Sequence, residues 1–279
     1  MQNNMDVKAV KVFFSNEQKE QISKDVRKIL DSGQLAAGEF VENFEKKWSS
    51  INKVKYGIAV SSGGAALEVI FKSLNIQDKE VIVPTNTFIA TSNAVVVGGG
   101  KPILADVSYE NMSLDLENIK KNTTEKTAAV CVVHIGGIIS KEIEKIQKFC
   151  DDNKLYLVED AAHAHGSDFK GKPSGKFGIA AAYSFFSTKT FTSGEGGMIL
   201  TDDNDLNLKF RTMRDYGKKS QWESFYVEES SNYRMSNLTA VVGYSSISMF
   251  SEFKKRKEEI ANYYTENLSK KFEKILPSG

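Results

Sequence analysis

Residues 128–158 have the sequence AAVCVVHIGGIISKEIEKIQKFCDDNKLYLV, in which two apolar runs flank a segment with helical spacing. Ala128–Val133 and Leu155–Val158 predict strands, and Ser140 can cap a helix between them. The helical segment repeats its apolar residues every three or four positions, at Ile143, Ile146 and Cys150. A crossover of this length favours two parallel strands joined by a helix, which is the repeating unit of an α/β fold.

The same alternation continues on both sides of this unit. Further strands are predicted at Val81–Val83, Pro102–Ala105, Ala181–Phe186 and Met198–Leu200. Helices are predicted at Ala65–Leu74 and Phe88–Val97, over most of the first forty residues around a glycine-bearing turn at 33–38, and as one long helix after residue 240. Uninterrupted apolar strands are typical of a parallel sheet that is buried on both faces.

Charge balance and cysteine content argue against several classes of protein. Lys+Arg 37 against Asp+Glu 36 gives a net charge of +1, so electrostatics favours neither nucleic acid nor an anionic membrane as the main partner. The start MQNNMD lacks the basic and apolar regions of a secretory signal, and no apolar run approaches the roughly 18 residues of a membrane span. Cys131 and Cys150 lie in apolar segments, which predicts reduced core residues of a cytoplasmic protein.

The segment LVEDAAHAHG at 157–166 places an acidic pair and two histidines directly after an apolar strand. In an open α/β sheet, ligands bind beyond the carboxyl ends of the strands, where Asp160 is expected. A loop aspartate that caps the next helix is the alternative without a ligand. A zinc or iron site is a further alternative, although no H-E-x-x-H pair is present. Its ligands would be Asp160, His134, His163 and His165.

A second segment, YSFFSTKTFTSGEGG at 183–197, delivers Lys189 from an apolar strand into a run of hydroxyls and glycines. Phe186 and Phe191 flank this lysine closely enough in sequence to remove water from it. Desolvation lowers the pKa of a lysine, and a neutral amine is the form that Schiff-base chemistry requires. The alternative is an ordinary solvated loop lysine.

A third segment, VSSGGAAL at 60–67, places small residues between a strand and the start of a helix. Free backbone N–H groups at a helix N-terminus bind anions, and phosphate is the expected anion. A plain strand-to-helix turn remains the alternative. The stretch GSDFKGKP at 166–173 begins like an ATP-binding P-loop but ends in proline, so ATP binding is not supported.

Together these three segments fit the needs of one cofactor, pyridoxal 5′-phosphate (PLP). It requires a lysine that forms a Schiff base, an aspartate that keeps the ring nitrogen protonated, and a cradle for its phosphate.

With these three segments the chain resembles the DegT-type nucleotide-sugar aminotransferases, a branch of the fold-type I PLP enzymes. The resemblance extends over residues ~33 to 250 and is carried, in this order, by SSGGAAL (61–67), VIVPTNTFIATSNAV (81–95), VEDAAHAHGS (158–167), SFFSTKT (184–190), GEGGMI (194–199), RTMRDYG (211–217) and NYRMSNLTA (232–240). It implies a large α/β domain over 1–245 with a mostly parallel central sheet. The segment 246–279 would be a linking helix at the start of a truncated small C-terminal domain.

The resemblance also assigns roles to residues. Lys189 corresponds to the Schiff-base lysine and proton shuttle, Asp160 to the partner of the pyridine nitrogen, and His163 to a position near the ring hydroxyl where many members carry glutamine. The other cofactor contacts implied are Gly63 and Gly64 in the phosphate cradle, Ser184 as a phosphate ligand, Phe88 as the aromatic on the ring face, and Asn232 on the phosphate of a neighbouring subunit. Many relatives carry threonine in place of Gly64, so one side-chain phosphate contact is expected to be missing. No catalytic metal is expected.

The activity implied is transfer of an amino group from glutamate or glutamine to a keto sugar, nucleotide-linked in this family, by a homodimer with shared sites. Two other outcomes stay open within the resemblance. One is an amino-cyclitol or aminohydroxybenzoate-type enzyme, and the other is a truncated relative that binds the cofactor without catalysis.

Overall fold

The computed structural model of the protein describes residues 11–219 and 225–268. The helices there are α1 (Asn16–Ser32), α2 (Glu39–Ile51), α3 (Gly63–Ser73), α4 (Ile89–Val97), α5 (Leu116–Asn122), α6 (Ile143–Asp152), α7 (Asn204–Arg214), α8 (Asn237–Ser246) and α9 (Phe250–Asn267). The strands are β1 (Tyr56–Val60), β2 (Glu80–Pro84), β3 (Lys101–Ala105), β4 (Thr127–Val133), β5 (Tyr156–Asp160), β6 (Asp168–Phe169), β7 (Lys172–Pro173), β8 (Ala180–Ser184) and β9 (Gly197–Thr201). The strands and helices predicted between residues 65 and 200 are present, with ends that shift by one or two residues, whereas α5, α7, β6 and β7 were not predicted.

Seven of these strands form a single sheet in the order β1-β9-β8-β5-β4-β2-β3. Neighbours from β3 across to β8 are parallel, whereas β9 is antiparallel to both β8 and β1. β1 therefore runs in the same direction as the parallel strands. Six strands consequently end at the same edge of the sheet, and this edge is where an α/β fold places its ligand.

Side chains along each strand alternate between two apolar layers. In β4, Ala129 and Cys131 join the layer that contains α3, while Val130 and Val132 join the opposite layer with α6. Both cysteines of the chain are free and buried. The sheet is thus covered on both faces, which is the reason for its uninterrupted apolar strands.

An aromatic cluster fixes the end of β8. The Trp48 ring centroid lies 5.2 Å from that of Tyr183 and 5.1 Å from that of Phe185, and Phe44 meets Phe185 edge-on at 4.8 Å. Aromatic pairs in such tilted arrangements stabilise packing beyond the area that they bury. The cluster explains why the strand predicted to run to Phe186 ends at Ser184: Phe185 is apolar because it packs against Trp48, not because it continues the strand.

The single helix predicted after residue 240 is wrong. Two helices, α8 and α9, are separated by a 3₁₀ turn at Ile247–Met249. The Ser248 hydroxyl donates to the Ser245 carbonyl oxygen at 2.7 Å, and the Ser246 hydroxyl oxygen accepts the Thr192 N–H at 3.0 Å. The Ser248 hydroxyl takes a carbonyl oxygen that a helical N–H would otherwise use, which favours a break in the helix, and the Ser246 bond ties the turn to the Thr192 backbone.

No residue of α9 is buried. The domain boundary near 245 stays a prediction. Within the described residues, no helix combines the length and the apolar character that crossing a membrane would take.

Candidate active site

A cavity of about 580 Å³ opens at the edge where the six strands end. The loops after β1, β2, β4, β5 and β8 all contribute to its wall. Seven of the eight predicted site residues line it: Gly63, Gly64, Phe88, Asp160, His163, Ser184 and Lys189. The fold therefore brings together segments that are more than a hundred residues apart in the sequence.

The N-terminus of α3 presents free N–H groups to this cavity. The Ser62 hydroxyl oxygen caps α3 by accepting the Ala65 N–H at 3.0 Å, and the Ser62 carbonyl accepts the Ala66 N–H at 3.0 Å. Among the described residues, the N–H groups of Gly63 and Gly64 have no partner. Two unpaired donors at the positive end of a helix form an anion-binding site.

Close packing explains the first glycine of this turn. A Cβ atom on Gly63 would lie 2.8 Å from the Cβ of Ser184, a separation that is too short for two side chains. Gly64 differs, because a Cβ there would have only ordinary contacts, with Ser62 and Ala90. The backbone of Gly63 and the hydroxyl of Ser184 are thereby held next to each other in the cavity wall.

Asp160 ends β5 and is almost completely buried. The Thr91 hydroxyl donates to its Oδ2 at 2.8 Å, and the Ala162 N–H donates to its Oδ1 at 3.1 Å. Each carboxylate oxygen keeps a lone pair that can face the cavity. Asp160 thus lies at the strand end and in the cavity wall, as predicted. Its role towards a ligand stays a prediction.

The neighbouring Glu159 faces the opposite side of the strand and has a structural function. Its carboxylate accepts N–H groups of Gly175, Phe177 and Gly178 at 2.7 Å each, and it pairs with His134 Nε2 at 2.9 Å. Burial acts to raise the pKa of Glu159, but the hydrogen bond and charge of His134 and the N–H donors outweigh it, so the pKa is lowered. The ionised Glu159 holds the loop after β7 against β5, directly beside Asp160.

His163 lies at the open rim of the cavity. Its Nδ1 accepts the Gly136 N–H at 3.3 Å. The pKa of His163 is lowered, first by the partial loss of water around its ring and then by the charge of Lys189. A neutral imidazole whose Nδ1 accepts a hydrogen bond carries its proton on Nε2, so His163 can donate one hydrogen bond to a ligand.

Lys189 follows β8 in a turn in which its N–H donates to the Phe186 carbonyl at 2.9 Å. Loss of water lowers the pKa of its amine, and the negative charge of Asp160 opposes this only in part. In the described ranges, 11–219 and 225–268, the amine forms no ion pair. A lysine with a lowered pKa in a cavity is a candidate nucleophile.

Phe88 is the N-cap residue of α4, and its side chain is 73% exposed. A ring in the apolar core could not stack on a ligand, whereas this one lies at the cavity wall with its area available. Its position is compatible with the predicted ring contact.

Asn232 is the predicted site residue that does not line the cavity. It is exposed, and its side-chain oxygen accepts the Arg234 N–H at 3.1 Å. Residues 215 and 232 form an isolated antiparallel bridge. Its assignment to a neighbouring subunit's site stays a prediction.

The three histidines occupy separate environments. His134 pairs with Glu159, and His165 lies among aromatic rings, with centroids 5.5 Å from Trp48 and 5.2 Å from Phe185. In the part of the chain that the structure describes, no group of three or more His, Cys, Asp or Glu residues could hold a metal ion.

His165 yields a prediction about pH. Both ring nitrogens are buried without a hydrogen-bond partner in the described residues, and loss of water, with the charge of Lys189, lowers its pKa to about 3. A base whose pKa falls on folding stabilises the protein above its unfolded pKa, and this stability is lost as the pH falls. We expect the free energy of unfolding to fall by about 2 kcal/mol between pH 7.5 and 5 on account of His165.

Urea unfolding at several pH values measures this slope. His165→Phe should flatten the profile, whereas His163→Gln, at the open rim, should keep most of it. Equal slopes in the wild type and His165→Phe would show that His165 is not buried as the neutral form.

Two residues of the site were missed by the sequence reasoning. Thr91 is buried behind the cavity wall and donates to Asp160, and Glu195 lines the cavity. Thr91 gave no clear signal: it lies in the first turn of α4 whereas Thr87 precedes the N-cap, so their contact depends on the fold. Glu195 gave no signal either, because a carboxylate in a glycine-rich loop is usually solvated.

The sequence matches a known protein family and several of its members. The model of the DegT/DnrJ/EryC1/StrS aminotransferase family matches residues 16–277. The GDP-perosamine synthase of Vibrio cholerae is 35% identical over 242 residues, which are 86% of this chain and 66% of that protein. A dTDP-3-amino-3,6-dideoxy-alpha-D-galactopyranose transaminase of Aneurinibacillus thermoaerophilus is 32% identical over 270 residues, which are 96% of this chain and 72% of that protein.

A solved structure shows the same fold with a cofactor. NtdA from Bacillus subtilis with bound pyridoxamine phosphate superimposes with a TM-score of 0.83 at 29% identity, over 93% of this chain and 61% of that one. The chain thus spans about two thirds of the length of the curated relatives and less of this structure.

Proposed function

The chain belongs to the DegT/DnrJ/EryC1/StrS aminotransferase family, and from this we propose that it acts as a PLP-dependent sugar aminotransferase. The proposed reaction moves an amino group from glutamate or glutamine to a keto sugar that is linked to a nucleotide. The observation that carries the proposal is the convergence of Gly63, Asp160 and Lys189 on one cavity. These are the three features that the sequence alone had matched to this cofactor.

The residues present fit PLP. Its phosphate needs donors, and Gly63 and Gly64 offer two unpaired N–H groups beside the Ser184 hydroxyl. Its ring nitrogen needs a carboxylate that stays in place, and Asp160 is buried and held by two donors. Its aldehyde needs an amine, and Lys189 supplies one with a lowered pKa. Gly64 itself offers the phosphate no side-chain contact.

When bound, PLP supplies a ring that accepts the electrons of a bond broken at the substrate's α-carbon. Three residues of the chain then have separate roles in binding and proton transfer. Asp160 holds a proton on the ring nitrogen, and His163 donates a hydrogen bond from Nε2. Lys189 Nζ removes and returns the substrate proton as general base and acid, a role that suits an amine whose pKa is lowered by loss of water.

A nucleotide-linked acceptor is supported by the names of the two relatives and by charge. A second cavity, of about 250 Å³, is lined by Asp215 and five cationic side chains: Arg211, Arg214, Lys218, Lys219 and Arg234. Arg211 and Arg214 share Glu45, and Arg234 pairs with Asp215, so the net positive charge of this cavity comes from Lys218 and Lys219, and it favours a phosphorylated ligand. We also propose a cytoplasmic site of action, which the two free, buried thiols support.

Absorbance spectroscopy with purified protein tests the function. PLP should produce the visible band of a protein-bound Schiff base, and glutamate or glutamine should convert this band and release the corresponding 2-oxo acid. A band that both amino acids leave unchanged would favour the non-catalytic relative. No band at all would contradict the assignment of the cofactor.

We propose further that the working unit is a homodimer. Helix α4 exposes Ile89, Val96 and Val97, with Asn93 between them, and Leu104 on the neighbouring β3 is exposed as well. An exposed apolar face of this kind marks an interaction surface. By two-fold symmetry, each subunit's Asn232 can serve the phosphate of its partner's cofactor.

Asn232→Ala should weaken cofactor retention and loosen the dimer in the same concentration range, because a ligand that binds only the assembled state stabilises it by mass action. Sedimentation velocity with PLP present, over a dilution series, measures both quantities. Asn153→Ala removes an exposed asparagine at the end of α6 and serves as the matched control. A monomer that retains its full cofactor would contradict the shared site.

A further inference from the structure

Two threonine hydroxyls connect the cavity surface to the buried carboxylate. Thr91, in the first turn of α4, is completely buried, and its Oγ1 lies 2.8 Å from Asp160 Oδ2. The Oγ1 of Thr87, which lines the cavity, lies 2.7 Å from Thr91 Oγ1. No other hydrogen bond is formed by the Thr91 hydroxyl within the described residues.

The direction of this chain of hydrogen bonds follows from donor counting. An ionised carboxylate can only accept, so the one proton of the Thr91 hydroxyl points to Asp160. Thr91 must then accept from Thr87. The order is therefore Thr87 to Thr91 to Asp160, with every hydroxyl proton used.

We propose that Thr91 is a positioning residue for Asp160, and that Thr87 fixes Thr91 in turn. The carboxyl torsion of aspartate is broad and roughly two-fold, so packing alone does not select one orientation. A donor on each oxygen, Thr91 on Oδ2 and Ala162 on Oδ1, selects it. The lone pairs that remain are thereby aimed before any ligand enters, which is the preorganisation that an electrostatic partner needs.

The chain offers graded variants for a test. Thr91→Val keeps the shape and removes the donor, Thr91→Ser keeps the donor, and Thr87→Val removes only the second link. Thr201→Val is the matched control, because Thr201 is also buried and its hydroxyl donates to the Ile179 carbonyl, at the end of β9, the strand that runs opposite to those ending at the cavity.

The first measurement needs no cofactor. In crystal structures of the cofactor-free variants, the Asp160 carboxylate should rotate in Thr91→Val and keep its orientation in Thr91→Ser. An unchanged carboxylate in Thr91→Val would overturn the proposal, whether or not the protein binds PLP.

The second measurement rests on the proposed function. Thr91→Val should alter the visible circular-dichroism band of bound PLP and lower kcat by about tenfold, while KM for the amino donor changes little. Thr87→Val should have a smaller effect, Thr91→Ser should restore the wild-type signal, and Thr201→Val should lower only the melting temperature. If Thr91→Val and Thr201→Val have the same circular-dichroism band and the same kcat, Thr91 is merely structural. If the wild type itself shows no band, the proposed function fails, and the crystal structures still decide the positioning role.

Discussion

Lys189→Ala is expected to abolish covalent attachment of PLP and to lower the rate of transamination by at least about a thousandfold, the contribution that a positioned general acid–base group makes. The expectation rests on the environment of the amine. It follows a buried strand, lies in the same cavity as Asp160, and has a pKa lowered by loss of water. A neutral amine is both a nucleophile and a base, and no other lysine lines this cavity in the described ranges.

Borohydride reduction followed by peptide mass mapping identifies the lysine directly. The labelled peptide of the wild type should contain Lys189, and Lys189→Ala should give no label. Lys189→Arg keeps the charge but carries no neutral amine, so it should be as inactive as Lys189→Ala. Lys170→Ala removes an exposed lysine that pairs with Glu144 and should behave like the wild type. A label on a different lysine would refute the assignment.

The position of the site at one edge of the sheet could be predicted from the sequence, because two general rules of α/β folds determine it. Apolar strands separated by helices favour a parallel sheet, and parallel strands place their carboxyl ends together. Asp160 and Ser184 end such strands, and Gly63 and Lys189 lie a few residues beyond strand ends, so their convergence followed from chain order. Their chemical roles depended on the resemblance to a family and stay predictions.

Other features could not be predicted because they depend on tertiary contacts. The apolar run Met198–Leu200 indicates a buried strand but not its direction, and β9 is antiparallel. The pairing of His134 with Glu159 joins residues that are 25 positions apart, so the sequence does not predict it. Without this pairing, either Glu159 or Asp160 could be the carboxylate that contacts the ligand. Successive side chains of a strand point to opposite faces, so Glu159 faces the loop that contains Gly175 and Asp160 faces the cavity.

Asp160→Asn is expected to lower the rate by about a thousandfold while the cofactor remains bound, as removal of a preorganised electrostatic partner does elsewhere. The fold should tolerate the change. The amide oxygen of asparagine can accept the Ala162 N–H, and its amide group can donate to Thr91, whose hydroxyl then turns its proton to Thr87. The two threonine hydrogen bonds therefore survive with their direction reversed and the Ala162 N–H keeps its acceptor, so the losses are the negative charge and one acceptor oxygen.

Without that charge the ring nitrogen of the cofactor loses its proton, and the ring accepts electrons less readily. Binding of the phosphate should persist, because it depends on the Gly63 and Gly64 N–H groups and on Ser184. Equilibrium dialysis with PLP and single-turnover rates with glutamate separate the two effects, with Asp151→Asn, at an exposed position on α6, as the matched control. Near-normal turnover in Asp160→Asn would refute the proposed role, and loss of the cofactor together with activity would mean that the carboxylate anchors the ring instead of tuning it.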